Sequence, residues 1–445
     1  RLYKIKRGLD LNLKGTAAFE LATMPASSMY AISPSDFLGV TPRLVVKEGD
    51  VVKIGTPLFV DKATEKICFV SPVSGAVKEI VRGERRKILH ILISSDGKNE
   101  QVDMNVTSCG NEGDSVKDLL LKSGLFAFFH QRPYDVTASP LDTPKAIFVS
   151  AFSKMPLAAD FSFVVRGNEQ HFKKGISVLS KLSKEDLGIS PQQINTPILP
   201  NEAEASVFDG PNPSGNVGVH INHIAPINKG EVVWTVAPQI VVMIGKLMNE
   251  GVLDFTRRIA VGGSEVKNPQ YYEVIAGAPI KDILKDKFVT QQNVRIISGN
   301  PLVGSKTDLN GFLGAHASEI CVLPEGDDVH ELFGWIAPRF NQHSSSRSYF
   351  SWLMPKKEYA PDCRIKGGER HMIMSAEYEK VFPMDIYPSY LIKAIITGDI
   401  DRQEQLGIYE VAPEDFAVAE YICSSKLELQ RIVREGLDIL RKENN

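Results

Sequence analysis

An aromatic run from Phe126 to Tyr134 is the part of this chain best suited to hold a flat organic ring. It reads Phe-Ala-Phe-Phe-His-Gln-Arg-Pro-Tyr and follows directly on Ser123-Gly124-Leu125. An apolar ring with carbonyl oxygens, such as a quinone, could lie between aromatic faces while its oxygens accept hydrogen bonds. An aromatic core is the other interpretation, and the sequence alone leaves both open. The candidate quinone contacts are Phe126, Phe128, Phe129, His130, Arg132 and Tyr134.

A lysine in a predicted hairpin raises the question of a covalent carrier arm. The segments 46–55 and 71–80 alternate short β runs with Gly-Asp and Pro-x-x-Gly turns, which predicts a small flattened barrel. Lipoyl and biotinyl carrier domains share this pattern, and Asp61-Lys62-Ala63 resembles the lipoyl attachment tip. Ser71 follows Lys62 after nine residues, however, whereas lipoyl domains place Ser-Pro about seven residues on. The longer hairpin moves Lys62 off its tip, so we expect Lys62 to be unmodified.

Gly299 to Thr307 is a near miss to a phosphate-binding loop. In that motif the lysine follows the second glycine directly, but here Ser305 stands between Gly304 and Lys306. No long apolar helix is predicted after it. The segment is therefore expected to be a turn that ends a strand.

Two histidines and a glycine-rich loop precede the middle of the chain. His220 and His223 would point to opposite faces of a strand and have no third ligand nearby, so we expect structural roles. Gly210, Gly215 and Gly218 form a loop that suits either a close backbone approach or a plain connection.

Composition excludes several classes of function. The chain has 445 residues, a net charge of −3 and no basic stripe, so nucleic acid is not an expected partner. No apolar run approaches the roughly 18 to 20 residues of a membrane span. The start lacks the apolar core of a signal peptide, and a cytosolic location is expected. The cysteines are widely spaced, which argues against a local zinc or iron–sulfur site: Cys68, Cys109, Cys321, Cys363 and Cys423.

The periodicity predicts four regions. Residues 1–105 are β-rich and contain the barrel. Residues 106–252 alternate helices and strands, which favours a parallel α/β sheet, with apolar strands at 146–149 and 161–165. Residues 253–330 read as compact β-grasp-like material around a short helix at 280–284. Residues 331–445 end in helices with apolar spacing.

The whole chain resembles one family, the A subunits of the sodium-translocating NADH:quinone reductase. The resemblance runs essentially end to end and rests on these landmarks: Lys6-Arg7-Gly8-Leu9-Asp10, Phe59-Val60-Asp61-Lys62, Val207-Phe208-Asp209-Gly210-Pro211, Val294-Arg295-Ile296-Ile297-Ser298-Gly299, Glu331-Leu332-Phe333-Gly334-Trp335 and Tyr378-Glu379-Lys380-Val381. This family is related to the C subunits of Rnf complexes and to the flavin-bearing subunit of complex I.

The resemblance implies a four-domain architecture from which the flavin and nucleotide site and the iron–sulfur cluster motifs of the relatives have been lost. The expected domains are a barrel-sandwich hybrid, a Rossmann-like α/β domain, a soluble-ligand-binding β-grasp domain and a helical tail that resembles a ferredoxin module without clusters. In the relatives, Ser-Gly-Leu leads into a glycine-rich loop that approaches FMN and NADH. Here it leads into Phe126 to Tyr134, whose side chains would fill that space. Only Cys423 remains where the tail of the Rnf C subunits carries its cluster motifs.

The resemblance also implies a function with two versions. The family's complex oxidises NADH, reduces quinone and exports sodium, and its NADH, flavin and iron–sulfur chemistry belongs to other subunits. This chain is expected to bind no redox cofactor and no metal, and to lie on the cytoplasmic side of the bacterial inner membrane, attached through partner subunits. In the first version it binds quinone for the last step; in the second it is a structural docking subunit.

Overall fold

The computed structural model describes residues 1–110, 112–199, 205–290, 293–331, 333, 340–346 and 349–444. The landmark at 331–335 therefore falls largely outside the described residues, since 332, 334 and 335 are not among them. The strands of the described part are β1 Leu2–Lys4, β2 Ala18–Ala22, β3 Met29–Ile32, β4 Pro42–Leu44, β5 Val51–Val52, β6 Pro57–Asp61, β7 Cys68–Val70, β8 Gly75–Arg82, β9 Ile88–Ser95, β10 Phe129–Arg132, β11 Val136–Thr137, β12 Ile147–Ser150, β13 Glu185–Ile189, β14 Ala205–Asp209, β15 Val233–Val236, β16 Thr256–Gly262, β17 Gln270–Ile275, β18 Val294–Ser298, β19 Ser305–Thr307 and β20 Glu319–Pro324.

Helices alternate with these strands in the middle of the chain, and the C-terminal tail is mainly helical. The α-helices are α1 Gly113–Ser123, α2 Phe161–Val164, α3 Glu169–Leu179, α4 Val217–Ile224, α5 Pro238–Glu250, α6 Ile280–Ile283, α7 Pro388–Ile396, α8 Ile400–Gln405, α9 Ala417–Ile422 and α10 Leu429–Asn444. Short 3-10 helices cover Pro34–Asp36, Glu84–Arg86, Val106–Ser108, Leu125–Phe128, Pro191–Gln193, Phe350–Leu353, Tyr378–Lys380, Ile408–Glu410 and Pro413–Phe416. No helix in the described parts of the chain is both long enough and apolar enough to cross a membrane.

The N-terminal region forms the predicted small barrel. One sheet has the order β3-β9-β8-β5 and the other β4-β6-β7, and all their pairs are antiparallel. Inward side chains alternate along the strands, as a half-buried sheet requires. Val52, Phe59, Phe69, Val77 and Ile91 are all buried in one core.

A mixed seven-stranded sheet follows, with the order β1-β14-β13-β12-β15-β10-β11. The first four pairs are parallel, and β10 and β11 add antiparallel strands at one side. Ile147 and Val149 face one core while Phe148 faces the other, which explains the unbroken apolar run in β12. The helices α3 and α5 pack against each other. They are so close that a side chain at Gly175 or Gly245 would collide with a backbone carbonyl of the other helix.

The third sheet has six strands in the order β19-β18-β20-β16-β17-β2. Two N-terminal strands leave the barrel region: β1 joins the seven-stranded sheet and β2 joins this one. Neither pairing was predicted, because a strand of three or five residues is too short for its sequence pattern to indicate a pairing partner that is distant in the chain.

Most predicted elements are confirmed, and two are wrong. The strand expected at 161–165 is the helix α2, because Asp160 caps the first turn by accepting a hydrogen bond from the Phe163 amide at 3.2 Å. His220 and His223 lie on α4 rather than on a strand, so they share a helix face. The helical tail is confirmed, and it packs on the seven-stranded sheet through a core that includes Phe148, Phe208 and Leu437.

Candidate functional site

A narrow apolar cavity opens where the barrel, the α/β region and the third sheet meet. Its volume is about 40 Å³. Gly124 places the aromatic run against the barrel, because it ends α1 with a φ of +77° and lies directly against Val70. The lining comes from three regions that are distant in sequence. The barrel region contributes Ala31, Ile32, Ser33, Asp36, Phe37, Phe69, Val70 and Pro72, the segment after α1 contributes Gly124, Ala127 and Phe128, and the loops beside the third sheet contribute Phe255, Ala276, Gly277, Leu313 and Ala315.

Aromatic rings form the floor of this cavity. The ring of Phe37 makes edge contacts with Phe69 at 4.6 Å and with Phe128 at 5.7 Å between centroids. Both Phe37 and Phe69 belong to the barrel core, so the floor is rigidly packed. A flat ring would find edge and face contacts here.

A few polar groups stand at the cavity. The Ser33 hydroxyl and His90 Nδ1 lie 2.7 Å apart, and an Asp36 carboxylate oxygen accepts a hydrogen bond from the Ala315 amide at 2.9 Å. Burial raises the pKa of Asp36 and lowers the pKa of His90. An apolar wall with few convergent polar groups and perturbed pKa values is the usual form of a small-molecule site.

Two histidines approach one another beside Phe128. His130, on β10, and His316 have ring centroids 4.7 Å apart, and His316 also meets the Phe128 ring at 5.6 Å. Burial lowers the pKa of His130. The histidine of the predicted aromatic run therefore reaches the neighbourhood of the cavity through His316, which belongs to another domain.

The structure divides the six predicted quinone contacts. Phe128 lines the cavity and His130 lies beside it. Phe126 and Phe129 stack on one another at 5.1 Å and meet Trp234 edge-on, so they are core side chains. The aromatic run therefore does not lie around one point: Phe126 packs in the core within the 3-10 helix before β10, and β10 turns Phe129 and His130 to opposite faces.

The remaining two predicted contacts lie at the tail. The Arg132 guanidinium donates to Asp415 at 2.7 Å and to Glu414 at 3.2 Å. The Tyr134 ring packs edge-on against Tyr409, and its hydroxyl accepts a hydrogen bond from Asn444. Both residues join the α/β region to the C-terminal helices.

Comparison with known proteins assigns the chain. The family model of the NqrA N-terminal barrel-sandwich hybrid domain matches residues 3–96, that of the NqrA second alpha/beta domain matches 111–253, and that of the NQRA C-terminal domain matches 258–308. The A subunit of the Na(+)-translocating NADH-quinone reductase of Neisseria meningitidis serogroup B is 33% identical over 99% of this chain and 100% of that protein. The chain belongs to the NqrA family, the A subunits of this enzyme.

Other members of the family agree. The proteins of the same name from Photorhabdus laumondii and Rhodopirellula baltica are 34% and 33% identical over 99% of this chain, and the matches cover 100% and 98% of those proteins. Among solved structures, an NAD+-reducing [NiFe]-hydrogenase matches 50% of this chain and 49% of its own with 12% identity and a TM-score of 0.36, which is too low to support an argument. The chain is thus one subunit of a multi-subunit enzyme, and its N-terminal region is a barrel-sandwich hybrid.

The three sites that the sequence raised and then disfavoured can now be placed. Lys62 is exposed at the start of the turn between β6 and β7, and its amide donates to the Thr41 carbonyl. In the turn after β18, the Asn300 side chain accepts hydrogen bonds from the amides of Leu302 and Val303, and the strand β19 follows instead of a helix. Those two amides are therefore engaged within the turn and do not point at a phosphate.

His220 is a core histidine. Its ring stacks on Phe208 at 3.9 Å, Nε2 lies 2.9 Å from the Ser214 carbonyl, and Gly188 packs against the Nδ1 side. Within the residues that the structure describes, no group of three His, Cys, Asp or Glu side chains could hold a metal ion. The glycine loop serves close approach within the chain: Gly210 faces the Ile5 carbonyl and Gly218 faces Asp415.

One residue beside the cavity was missed by sequence reasoning. Arg257 is 5% exposed, and its guanidinium lies 6.0 Å from the centroid of Phe128. The signal was present, because Arg257 shares the alternation of the apolar residues Ile259 and Val261 along β16, and all three are buried. A charged side chain on the inward face of such a strand is unusual, because charged residues are rarely buried unless they are paired.

Proposed function

We propose that this chain serves the quinone-reduction step of its complex by holding the quinone at the three-domain cavity. The observation that carries the proposal is the cavity itself, an apolar recess lined by Phe128 of the predicted aromatic run and by Ser33 and Asp36, with His90 in contact with the Ser33 hydroxyl. The names of the relatives, all NADH-quinone reductase subunits, supply the ligand class.

The geometry suits a ring at the mouth rather than a ring fully enclosed. About 40 Å³ holds roughly three water molecules or a ring substituent. The ring would therefore lie over the Phe128 side chain, with one substituent in the recess. One of its carbonyl oxygens would accept a hydrogen bond from the Ser33 hydroxyl, which lies 2.7 Å from His90 Nδ1. That pair could pass a proton to the ring as the quinone takes up two electrons and two protons.

We further propose that the chain has no redox cofactor of its own. The short 3-10 helix Leu125–Phe128 buries Phe126 and Ala127 directly after Gly124, and those side chains occupy the space next to its backbone. The buried Cys423 Sγ lies 2.9 Å from the Tyr378 hydroxyl. A visible spectrum of the purified chain, free of flavin or cluster absorbance, is the expected result.

The finer architecture is part of the same proposal. The order β14-β13-β12-β15 is that of the Rossmann-like half-sheet, in which the first strand lies between the second and the fourth. The third sheet, with α6 beside it, is proposed to be the β-grasp domain. We place the chain on the cytoplasmic face of the bacterial inner membrane, attached through the other subunits.

A second candidate function, docking without quinone binding, has its own supporting observation. Between 340 and 374 the chain exposes a group of large apolar side chains, of which Phe340 and Phe350 stack at 5.5 Å. Large apolar side chains that are exposed together often mark interfaces. The group comprises Phe340, Phe350, Trp352, Leu353, Ile365, Ile373 and Met374.

Equilibrium binding of a water-soluble short-chain quinone to the purified chain separates the two candidates. Ala315→Phe would fill the mouth of the cavity while keeping the backbone amide that binds Asp36. Ala18→Phe, on the exposed strand β2, is the matched control. The proposal expects binding by the native chain and the control and at least tenfold weaker binding by Ala315→Phe. Binding by none of the three would favour the docking function.

A further inference from the structure

Arg257 is a buried cation whose hydrogen-bonding capacity is only partly used. Its Nη1 donates a long hydrogen bond of 3.3 Å to the Ala317 carbonyl. Within the described residues, Nε and Nη2 have no hydrogen-bond partner, and no carboxylate forms an ion pair with this guanidinium. Burial lowers the pKa of Arg257 to about 10, so it stays charged at neutral pH. A buried charge without a contacting counter-ion is costly and unusual.

The guanidinium lies directly behind the wall of the cavity. It lies 6.0 Å from the centroid of the Phe128 ring, and Arg257 follows Phe255 by two residues. Phe128, Phe255 and Ala315 all line the cavity, and Ala317, which accepts the Nη1 bond, is two residues from Ala315. The unused donors are therefore close to the place proposed for the ring.

The neighbouring groups leave this positive charge without a contacting partner. Asp36 is the acidic side chain whose charge raises the pKa of Arg257, but the two make no direct contact. The Asp36 carboxylate accepts its hydrogen bond from the Ala315 amide. His90, His130 and His316 also lie near the cavity, and a histidine side chain carries no negative charge in either of its protonation states. The next residue of the strand, Arg258, points the other way and pairs with Glu273 at 3.1 Å.

We propose that Arg257 makes the cavity selective for quinones that carry an ionised oxygen, namely anionic reduced quinones and ionised hydroxyquinones. Its uncompensated positive charge would attract that oxygen across the apolar wall, where the low dielectric strengthens the interaction between charges. Because reduction places negative charge on a quinone oxygen, the same residue would favour the reduced form of the ligand. This inference rests on the proposed quinone site and assigns its specificity.

The test compares two probes that differ by one oxygen, 2-hydroxy-1,4-naphthoquinone and 1,4-naphthoquinone, at about pH 7.5, where the first is ionised. The native chain should bind the ionised probe about ten- to a hundredfold more tightly, because attraction between two charges in a partly buried site is large enough to give that difference. Arg257→Met should bring the two affinities within about threefold of each other while the neutral probe still binds. Arg258→Met, one residue along the strand, should keep the native ratio.

Two further measurements keep the inference testable if Arg257→Met folds poorly. The visible spectrum of the hydroxyquinone bound to the native chain should show a pKa below that of the free compound. Asp36→Asn, which keeps an oxygen to accept from Ala315 but removes the carboxylate, should tighten binding of the ionised probe. Equal affinities of the native chain for both probes, or an unshifted ligand pKa, would overturn the role of Arg257 and leave the quinone site standing. Binding of neither probe would overturn the quinone site and this inference together.

Discussion

The guanidinium of Arg132 lies 2.7 Å from the carboxylate of Asp415, although the two residues are 283 positions apart and both are buried. Arg132 also donates to the Glu410 carbonyl at 2.8 Å. This pair fastens β10 of the seven-stranded sheet to the short helix Pro413–Phe416 of the tail. The tail is therefore part of the fold of this chain.

The Arg132–Asp415 pair should be costly to break from one side. We expect Arg132→Met to lower the free energy of unfolding by about 3–5 kcal/mol, because Asp415 would be left as a buried, unpaired carboxylate. Arg132→Met/Asp415→Leu should recover a large part of that loss. Urea denaturation of the native chain and both variants measures this, and a double variant no more stable than the single one would contradict it.

His220 should make the protein sensitive to mild acid. Burial lowers its pKa to about 4, while an unfolded histidine titrates near 6.5. Between these values the unfolded state binds the proton and the folded state does not, so stability falls as the pH falls. The loss is about 1.4 kcal/mol per pH unit, or about 3 kcal/mol over the window.

The His220→Gln variant tests that assignment. A glutamine amide can still donate to the Ser214 carbonyl but does not titrate. Denaturation midpoints between pH 7 and pH 4 should fall less steeply for His220→Gln than for the native chain, whereas His223→Gln, on the same helix, should retain the native slope. Parallel pH profiles for all three proteins would show that another group is responsible.

Cys423 should be structural rather than chemical. It is fully buried and its Sγ lies 2.9 Å from the Tyr378 hydroxyl. Cys423→Ala should cost about 1–2 kcal/mol, because it leaves a small void and a buried hydroxyl without that partner. Thermal unfolding measures the cost, and quinone reduction by the assembled complex should be unchanged. Lost activity with intact assembly would give the thiol a chemical role.

Local patterns predicted the elements well but not their partners. The α1, α3 and α5 helices and the strands β12, β15, β16 and β18 follow directly from apolar spacing. The strand predicted at 161–165 was wrong because the apolar and polar residues of this segment alternate as they do in a strand. The segment forms a helical turn, and the Asp160 side chain caps it. The prediction that His220 lies on a strand was wrong for a similar reason. Eight mostly apolar residues can form either a short helix or a strand.

The site was less predictable than the fold because the chain assembles it from three domains. The sequence pointed to Phe128 and His130, but it also grouped them with neighbours that β10 turns to other faces. Asp36, Ser33 and Arg257 are each ordinary residues in their own segments. Only the packing of the barrel and the third sheet around Phe128 brings them together.

The most direct test of the quinone site is steady-state kinetics of the complete complex with Ala315→Phe introduced into this chain. NADH oxidation by an artificial electron acceptor, which bypasses the quinone, serves as the internal control, and Ala18→Phe serves as the control variant. We expect native activity with the artificial acceptor and a KM for quinone raised about tenfold or more in Ala315→Phe alone. An unchanged KM and kcat for quinone in that variant would contradict the placement of the quinone at this cavity.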